Sequence, residues 1–273
     1  MSPEAVLAGL PVWQGTPELT RLEEGRTNRN FIIRDASGTY FGRVGVDLPH
    51  HGISRLQERL CAELAAARGV SPRVHYAGEG ALVTVFIEGE TLKPAGMHDA
   101  ATLRQTAEVL RRLHAEPVAE PALEQRCGVR ASHAYLKHLP DSDLPIARDL
   151  MLERLGEPAP AGDHLVHSDI IPENLIRTAD GLQLIDWEYA GVGVPEVDLA
   201  SVIANADLTP AEAALLCAAY GPHDAALVER QRVALVIREA LWCLTQTRFS
   251  GPPEGDLVAY TQLCIARMSQ EFP

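Results

Sequence analysis

Lysine is almost missing from this chain. Lys93 and Lys137 are the only two among 24 basic residues, and none precedes position 93. Aromatic residues make up 5% of the sequence, so each one near a cleft counts. The five cysteines (Cys61, Cys127, Cys217, Cys243 and Cys264) are scattered, odd in number and free of C-x-x-C pairs. Reduced packing thiols in a cytoplasm are their expected state. No apolar run reaches membrane-spanning length, and no basic region precedes an apolar stretch at the N-terminus, so neither a span nor a signal peptide is expected. A basic excess is missing too: the net charge is −13 and the pI near 5.2, which argues against a nucleic-acid or anionic-membrane partner. No internal repeat is evident. The remaining composition, 46% hydrophobic and 22% charged over 273 residues, is that of a soluble globular protein able to bury a large core.

What is present is concentrated in one stretch. His167-Ser168-Asp169-Ile170-Ile171-Pro172-Glu173-Asn174 is followed by Leu184-Ile185-Asp186-Trp187. Phosphoryl transfer from a nucleotide needs an aspartate to accept the proton of the attacking hydroxyl, and oxygen ligands to hold the metal on the phosphates. Asp169 suits the first role. Asn174, with a neutral carbonyl oxygen, and Asp186, with a charged one, suit Mg2+, which takes only one or two ligands from protein. Asn174–Arg177 and Leu182–Ile185 are apolar runs split by Ala179-Asp180-Gly181, a hairpin turn. That hairpin brings Asn174 and Asp186 within reach of one ion. A bare H-x-D-x4-N pattern arises by chance in on the order of one in a hundred chains of such composition. It requires neither the turn nor the second aspartate. His167 reads as a brace of the catalytic loop through hydrogen bonds rather than a proton carrier.

At these residues the chain resembles the choline/ethanolamine kinase family, within the larger aminoglycoside-phosphotransferase-like group. His167 to Ile176 looks like the family's catalytic loop, and Ile185 to Gly191 like its metal-binding segment. Asp198-Leu199-Ala200 resembles the D-L-A that follows, and Leu241 to Gln246 the tryptophan-bearing helix. The likeness runs from about Gly25 to Ser250. It implies an α+β, two-lobed protein-kinase-like fold: an N-lobe over residues 1–87 with an antiparallel sheet and one helix, a hinge over 88–92, and a larger, mainly helical C-lobe over 93–273. It also implies ATP and Mg2+ as cofactors. Protein kinases themselves fit less well. Ile171 stands where a Ser/Thr kinase has lysine, Trp187-Glu188 replaces Phe-Gly, and neither A-P-E nor an N-terminal G-x-G-x-x-G is present.

The coarse reading along the chain agrees. Strands are expected at Glu18–Gly25, Thr27–Arg34, Thr39–Val46, Arg73–Ala77 and Ala81–Ile87. A helix with the apolar stripe Ile53, Leu56, Leu60, Leu64 and Ala67 ends at Gly69. Further helices are expected over Asp99–His114, Ala131–Leu155 (interrupted by Pro140 and Pro145), Pro195–Asn205, Pro210–Tyr220, His223–Phe249 and Asp256–Glu271.

In the kinase-like plan a third-strand cation grips the phosphates and is held by a helical glutamate. Here that cation is Arg43, and Glu58 is the favoured partner, with Glu63 second. The resemblance places a phosphate-covering G-x-T-N loop at Gly25–Asn28, with Thr27 and Asn28 as its polar side chains, and an adenine-binding hinge whose backbone at Val85 and Ile87 contacts the base. On the acceptor side it places Tyr189 and Trp242, whose aromatic faces suit a cation. Glu239 stands where family members commonly carry a second tryptophan, Gly191–Pro195 replaces G-M-N-D-P, and Asn205 replaces a glutamate. A carboxylate with fewer aromatics suits a hydrogen-bonding amino alcohol. The partner expected is thus a small-molecule acceptor alcohol, choline- or ethanolamine-like. Thiamine, an aminoglycoside, another hydroxylated metabolite and a catalytically silent nucleotide-binding module are the alternatives.

Overall fold

An antiparallel sheet organises the N-terminal part of this computed structural model, which describes residues 1–22, 28–78 and 80–272. After a short helix α1 (Pro3–Ala8), strands β1 (Glu18–Leu22), β2 (Arg29–Asp35) and β3 (Gly38–Val44) form a meander. Strands β4 (Val74–Gly78) and β5 (Ala81–Val85) complete it in the order β1-β2-β3-β5-β4. The pleat sends alternate side chains to opposite faces. Phe31, Ile33, Tyr40 and Val83 accordingly share one buried face, capped by Leu7 of α1. Gly42 belongs to that face because a Cβ there would lie 2.5 Å from the Ile33 side chain. Arg43 is out of phase with these residues and turns to the other face.

Helix α2 (Arg55–Ala67) lies against that second face, in an orientation its apolar stripe foretells only in part, with Leu60 and Leu64 partly buried against the core. The buried residues are Gln57, Glu58, Cys61, Ala62 and Ala65, while Leu56 is 50% exposed and Ala67 is at the surface. Two specific polar links outweigh the stripe. Gln57 donates from Nε2 to the Ala122 carbonyl (2.5 Å) and accepts from the Glu124 N–H (2.9 Å), and Glu58 meets Arg43. Small side chains at 61, 62 and 65 let the helix approach closely.

The rest is mainly helical. Strand β6 (Glu90–Thr91) pairs with β8 (Leu175–Thr178), which forms the expected hairpin with β9 (Gly181–Leu184). Strand β7 (His164–Val166) pairs with β10 (Gly191–Gly193), a strand the sequence reading did not contain. The helices are α3 (Ala100–Leu113), α4 (Gly128–Leu136), α5 (Arg148–Leu155), α6 (Glu196–Asn205), α7 (Pro210–Tyr220), α8 (Ala225–Ser250) and α9 (Asp256–Gln270). The segment holding Pro140 and Pro145 separates α4 from α5, as ring closure and the lost N–H require. Helix α8 packs against α4, α6 and α9. Among the described residues, no helix is long and apolar enough to cross a membrane.

Candidate active site

The loop between β7 and β8 carries Asp169, and its backbone is held by a buried carboxylate from α6. Asp198, fully buried, accepts from the N–H groups of His167 (2.9 Å) and Ser168 (2.7 Å) and contacts Nε2 of His114 at 3.0 Å. Ser168 is thereby kept at φ 66°, a left-handed conformation unusual for a residue with a side chain. His167 has both ring nitrogens engaged. Nε2–H donates to the Ile185 carbonyl (2.9 Å) and Nδ1 accepts from the Asp169 N–H (3.3 Å), which makes it a brace between the two halves of the motif. Asp198→Asn offers one acceptor oxygen where two N–H groups and a histidine need partners. We expect a loss of about 3 kcal/mol in unfolding free energy, read from the urea midpoint. An unchanged midpoint would remove Asp198 from this bracing role.

The β8–β9 hairpin does for Asn174 and Asp186 what its turn implies. Leu175 pairs with Leu184, and the Ile185 N–H donates to the Asn174 carbonyl at 3.0 Å. Asp169, Asn174 and Asp186 all line one cavity of about 590 Å3, together with Glu173, Glu188, Tyr189, Arg238, Glu239 and Trp242. Asn174 Nδ2 donates to the Asp169 carbonyl (3.0 Å), so its Oδ1 is the atom turned elsewhere. Asp186, at φ 69°, spends Oδ1 on Arg43 (2.6 and 2.8 Å). Among the described residues, no cluster of three or more His, Cys, Asp or Glu could hold a metal. The donor set is one amide and one carboxylate oxygen beside a cleft. It fits Mg2+, whose remaining ligands come from phosphate and water, and not a cation caged by protein alone.

Arg43 is the hub of the adjoining ion-pair network and lines a separate, smaller cavity with Arg55 and Glu58. Its Nη2 lies 2.5 Å from Glu58 Oε1 and 2.6 Å from Asp186 Oδ1. Glu58, not the exposed Glu63, is therefore the partner. Arg55 extends the network, contacting Glu58 at 2.6 Å and Glu188 at 3.3 Å, and Asn28 Nδ2 donates to Glu188 Oε2 (3.1 Å). Burial alone would lower the Arg43 pKa, but the carboxylates of Asp186, Glu58 and Glu188 outweigh it and raise it. For Asp186, burial wins over Arg43, and the neighbouring carboxylates add to it. Its pKa is pushed up to about 7. Burial likewise raises Asp169, against the opposing pull of Arg238.

Two expectations concern the nucleotide side. Thr27 lies outside the described residues. Val85 and Ile87 do not line the cavity that holds Asp169. They border a separate one of about 410 Å3, with Ser71, Arg73 and Asp180. The Val85 N–H is already given to the Arg73 carbonyl (2.9 Å), because β5 still pairs there with the segment before β4. Only the Val85 carbonyl and the Ile87 backbone are left for the adenine role that the resemblance implied.

On the acceptor side Tyr189, Trp242 and Glu239 share the large cavity. Trp242 Nε1 donates to the Tyr189 hydroxyl (2.9 Å), fixing both rings in one wall, and Tyr260 donates to Glu239 Oε1 (2.6 Å). Glu188, Arg55, Tyr260 and Arg238 join these clusters without having been expected there. Glu188 stood within the Ile185–Gly191 segment, and Arg55 lies three residues before Glu58 on α2. Nothing in the sequence pointed to Tyr260 or Arg238.

Residues 18–234 match the APH phosphotransferase enzyme family. The chain is 27% identical over 197 residues to a thiamine kinase of Escherichia coli, covering 69% of this chain and 67% of that one. It is 41% identical over 54 residues to protein LicA of Haemophilus influenzae, 20% of each chain. The aligned stretch thus spans a fifth of LicA, and 29% of a thiamine kinase from Salmonella paratyphi B. Among solved structures, a choline/ethanolamine kinase family protein from Mesorhizobium loti superposes with a TM-score of 0.74 at 26% identity, covering 98% of this chain and 92% of that one.

Proposed function

The chain belongs to the phosphotransferase enzyme family, and on that premise we propose that it moves the γ-phosphoryl group of ATP to the hydroxyl of a small alcohol bearing a positively charged nitrogen. The observation that carries this reading is the common cavity of Asp169, Asn174 and Asp186. Asp169 takes the acceptor's hydroxyl proton as its oxygen bonds the γ-phosphorus and the bond to the β–γ bridging oxygen breaks. Arg43, held by Glu58, faces the phosphates. Asn174 Oδ1 and the second carboxylate oxygen of Asp186 would hold Mg2+, which when bound would neutralise phosphate charge. In this reading residues 1–87 cover the nucleotide, 88–92 act as the hinge and 93–273 carry the chemistry.

The cavity lining supports a cationic acceptor. The carboxylates of Asp169, Glu173, Asp186, Glu188 and Glu239 outnumber the guanidiniums of Arg238 and Arg267. Tyr189 and Trp242 add aromatic surface, which attracts a desolvated cation. Choline, ethanolamine and thiamine share this chemistry, and the E. coli thiamine kinase similarity makes thiamine a second named candidate. An ATP-consumption screen over choline, ethanolamine, thiamine and aminoglycosides tests it. Turnover with at least one cationic alcohol is expected. Turnover with none of them would overturn the assignment of acceptor class. With the acceptor found, Glu239→Gln should raise its KM roughly tenfold while leaving the KM for ATP in place, since one charge-assisted contact is worth about 1.5 kcal/mol. An unmoved acceptor KM would take Glu239 out of the recognition site.

A further inference from the structure

The catalytic loop lacks the cation its chemistry would benefit from. Ile171 stands at the position of the protein-kinase lysine, and residues 167–174 contain neither lysine nor arginine. A guanidinium nevertheless sits beside the base. Arg238, in the middle of α8 and 69 residues from Asp169, is 5% exposed. Its Nη1 donates to the Ser168 carbonyl (2.7 Å) and its Nη2 to Asp169 Oδ1 (2.8 Å). The same Nη2 reaches Glu239 Oε2 at 3.1 Å, and the guanidinium carbon lies 5.7 Å from the centre of the Tyr189 ring.

A buried guanidinium is retained only where its donors are matched, and the planar fork matches a backbone carbonyl and a carboxylate at once in a way an ammonium cannot. Here the two donors straddle the left-handed residue Ser168 and the base that follows it. Asp169 Oδ1 is consumed by this contact, which leaves Oδ2 as the oxygen presented to the acceptor. We propose that Arg238 is the positioning residue of the base, replacing from α8 the cation missing at Ile171, and that its Nη2, shared by Asp169 and Glu239, joins the base to the acceptor wall. This rests on the phosphotransfer reading above, in which Asp169 is the base.

The test is a double-mutant cycle on the full chain. ATP turnover is measured with thiamine and with choline, and as intrinsic ATP hydrolysis where neither accepts. Arg238→Ala should lower kcat about a hundredfold, the loss that follows a misplacement of roughly 1 Å at a reacting group. ATP binding should be unchanged, because no nucleotide-facing contact is altered. Arg238→Lys should recover part of the loss, and added guanidinium ion at millimolar concentration should partly rescue Arg238→Ala. In the Asp169→Asn background the same substitution should cause no further loss. If the losses multiply instead, or if Arg238→Lys, folded by its urea midpoint, matches wild type while Arg238→Ala fails only by unfolding, Arg238 is a structural ion pair and the proposal is wrong. Wild-type turnover by Asp169→Asn alone would sink the phosphotransfer reading itself, an outcome separate from either of these.

Discussion

Asp169→Asn should lower kcat by about 10^2–10^4, the range over which a positioned general base contributes. The substitution is nearly isosteric. An amide oxygen can still accept from Arg238 Nη2, so the loop geometry set by Asp198 and His167 should persist. What disappears is the second oxygen as a proton acceptor. ATP affinity should stay within about twofold, because no contact in the Arg43–Glu58 network touches Asp169. Steady-state turnover measured beside equilibrium nucleotide binding separates the two effects. A variant with full turnover would mean that Asp169 does not take the proton.

The second large effect belongs to Asp186. Removing its carboxylate with Asp186→Ala should cost about 10^2–10^3 in turnover, comparable with losing one preorganised charge-stabilising group. It should also weaken the Mg2+ dependence of activity. The wild-type protein carries a pH signature as well. Burial holds the Asp186 pKa at about 7 against Arg43, so a proton competes with the metal below that pH. Half-saturating Mg2+ should therefore rise about tenfold per pH unit below 7 and flatten above it. Stability runs in the opposite sense. A carboxyl whose folded pKa exceeds its ordinary value of 3.8 adds stability that is complete below that value and lost as pH rises through about 7. Without metal, the difference in thermal midpoint between wild type and Asp186→Asn should thus move toward the asparagine variant between pH 5 and 8. A difference that stays flat over that window would mean Asp186 is ionised throughout.

Local features of the fold are legible in the residues. The Ala179-Asp180-Gly181 turn and its flanking apolar runs specify the β8–β9 hairpin, because hairpin register is set by neighbours only a few residues away. Pro140 and Pro145 split the helical region between α4 and α5 for an equally local reason. The β7–β10 pairing could not be read in the same way. Its strands are three residues each, the second is Gly191-Val192-Gly193, and what defines it is a partner 25 or more positions distant. Helix α2 gives the sharper lesson. Its apolar stripe at Leu56, Leu60 and Leu64 suggests one buried face; Leu60 and Leu64 do pack against the core, yet Leu56 is exposed and the most buried positions include Gln57 and Glu58. Hydrophobic periodicity weighs side chains one at a time and has no term for a buried arginine on the strand before the helix.

By itself, the order of residues determined which groups could do chemistry here: a loop aspartate, an asparagine five residues on and an aspartate at a hairpin's end. It also dictated that the N-terminal cation be arginine. Only the tertiary structure decided who holds them. Arg43 meets Asp186 across 143 residues, Asn28 meets Glu188 across 160, and Arg238 arrives at Asp169 from a helix 69 residues away. Charges taken out of water must find partners, and in a folded chain those partners are chosen by proximity in space, which no local pattern encodes.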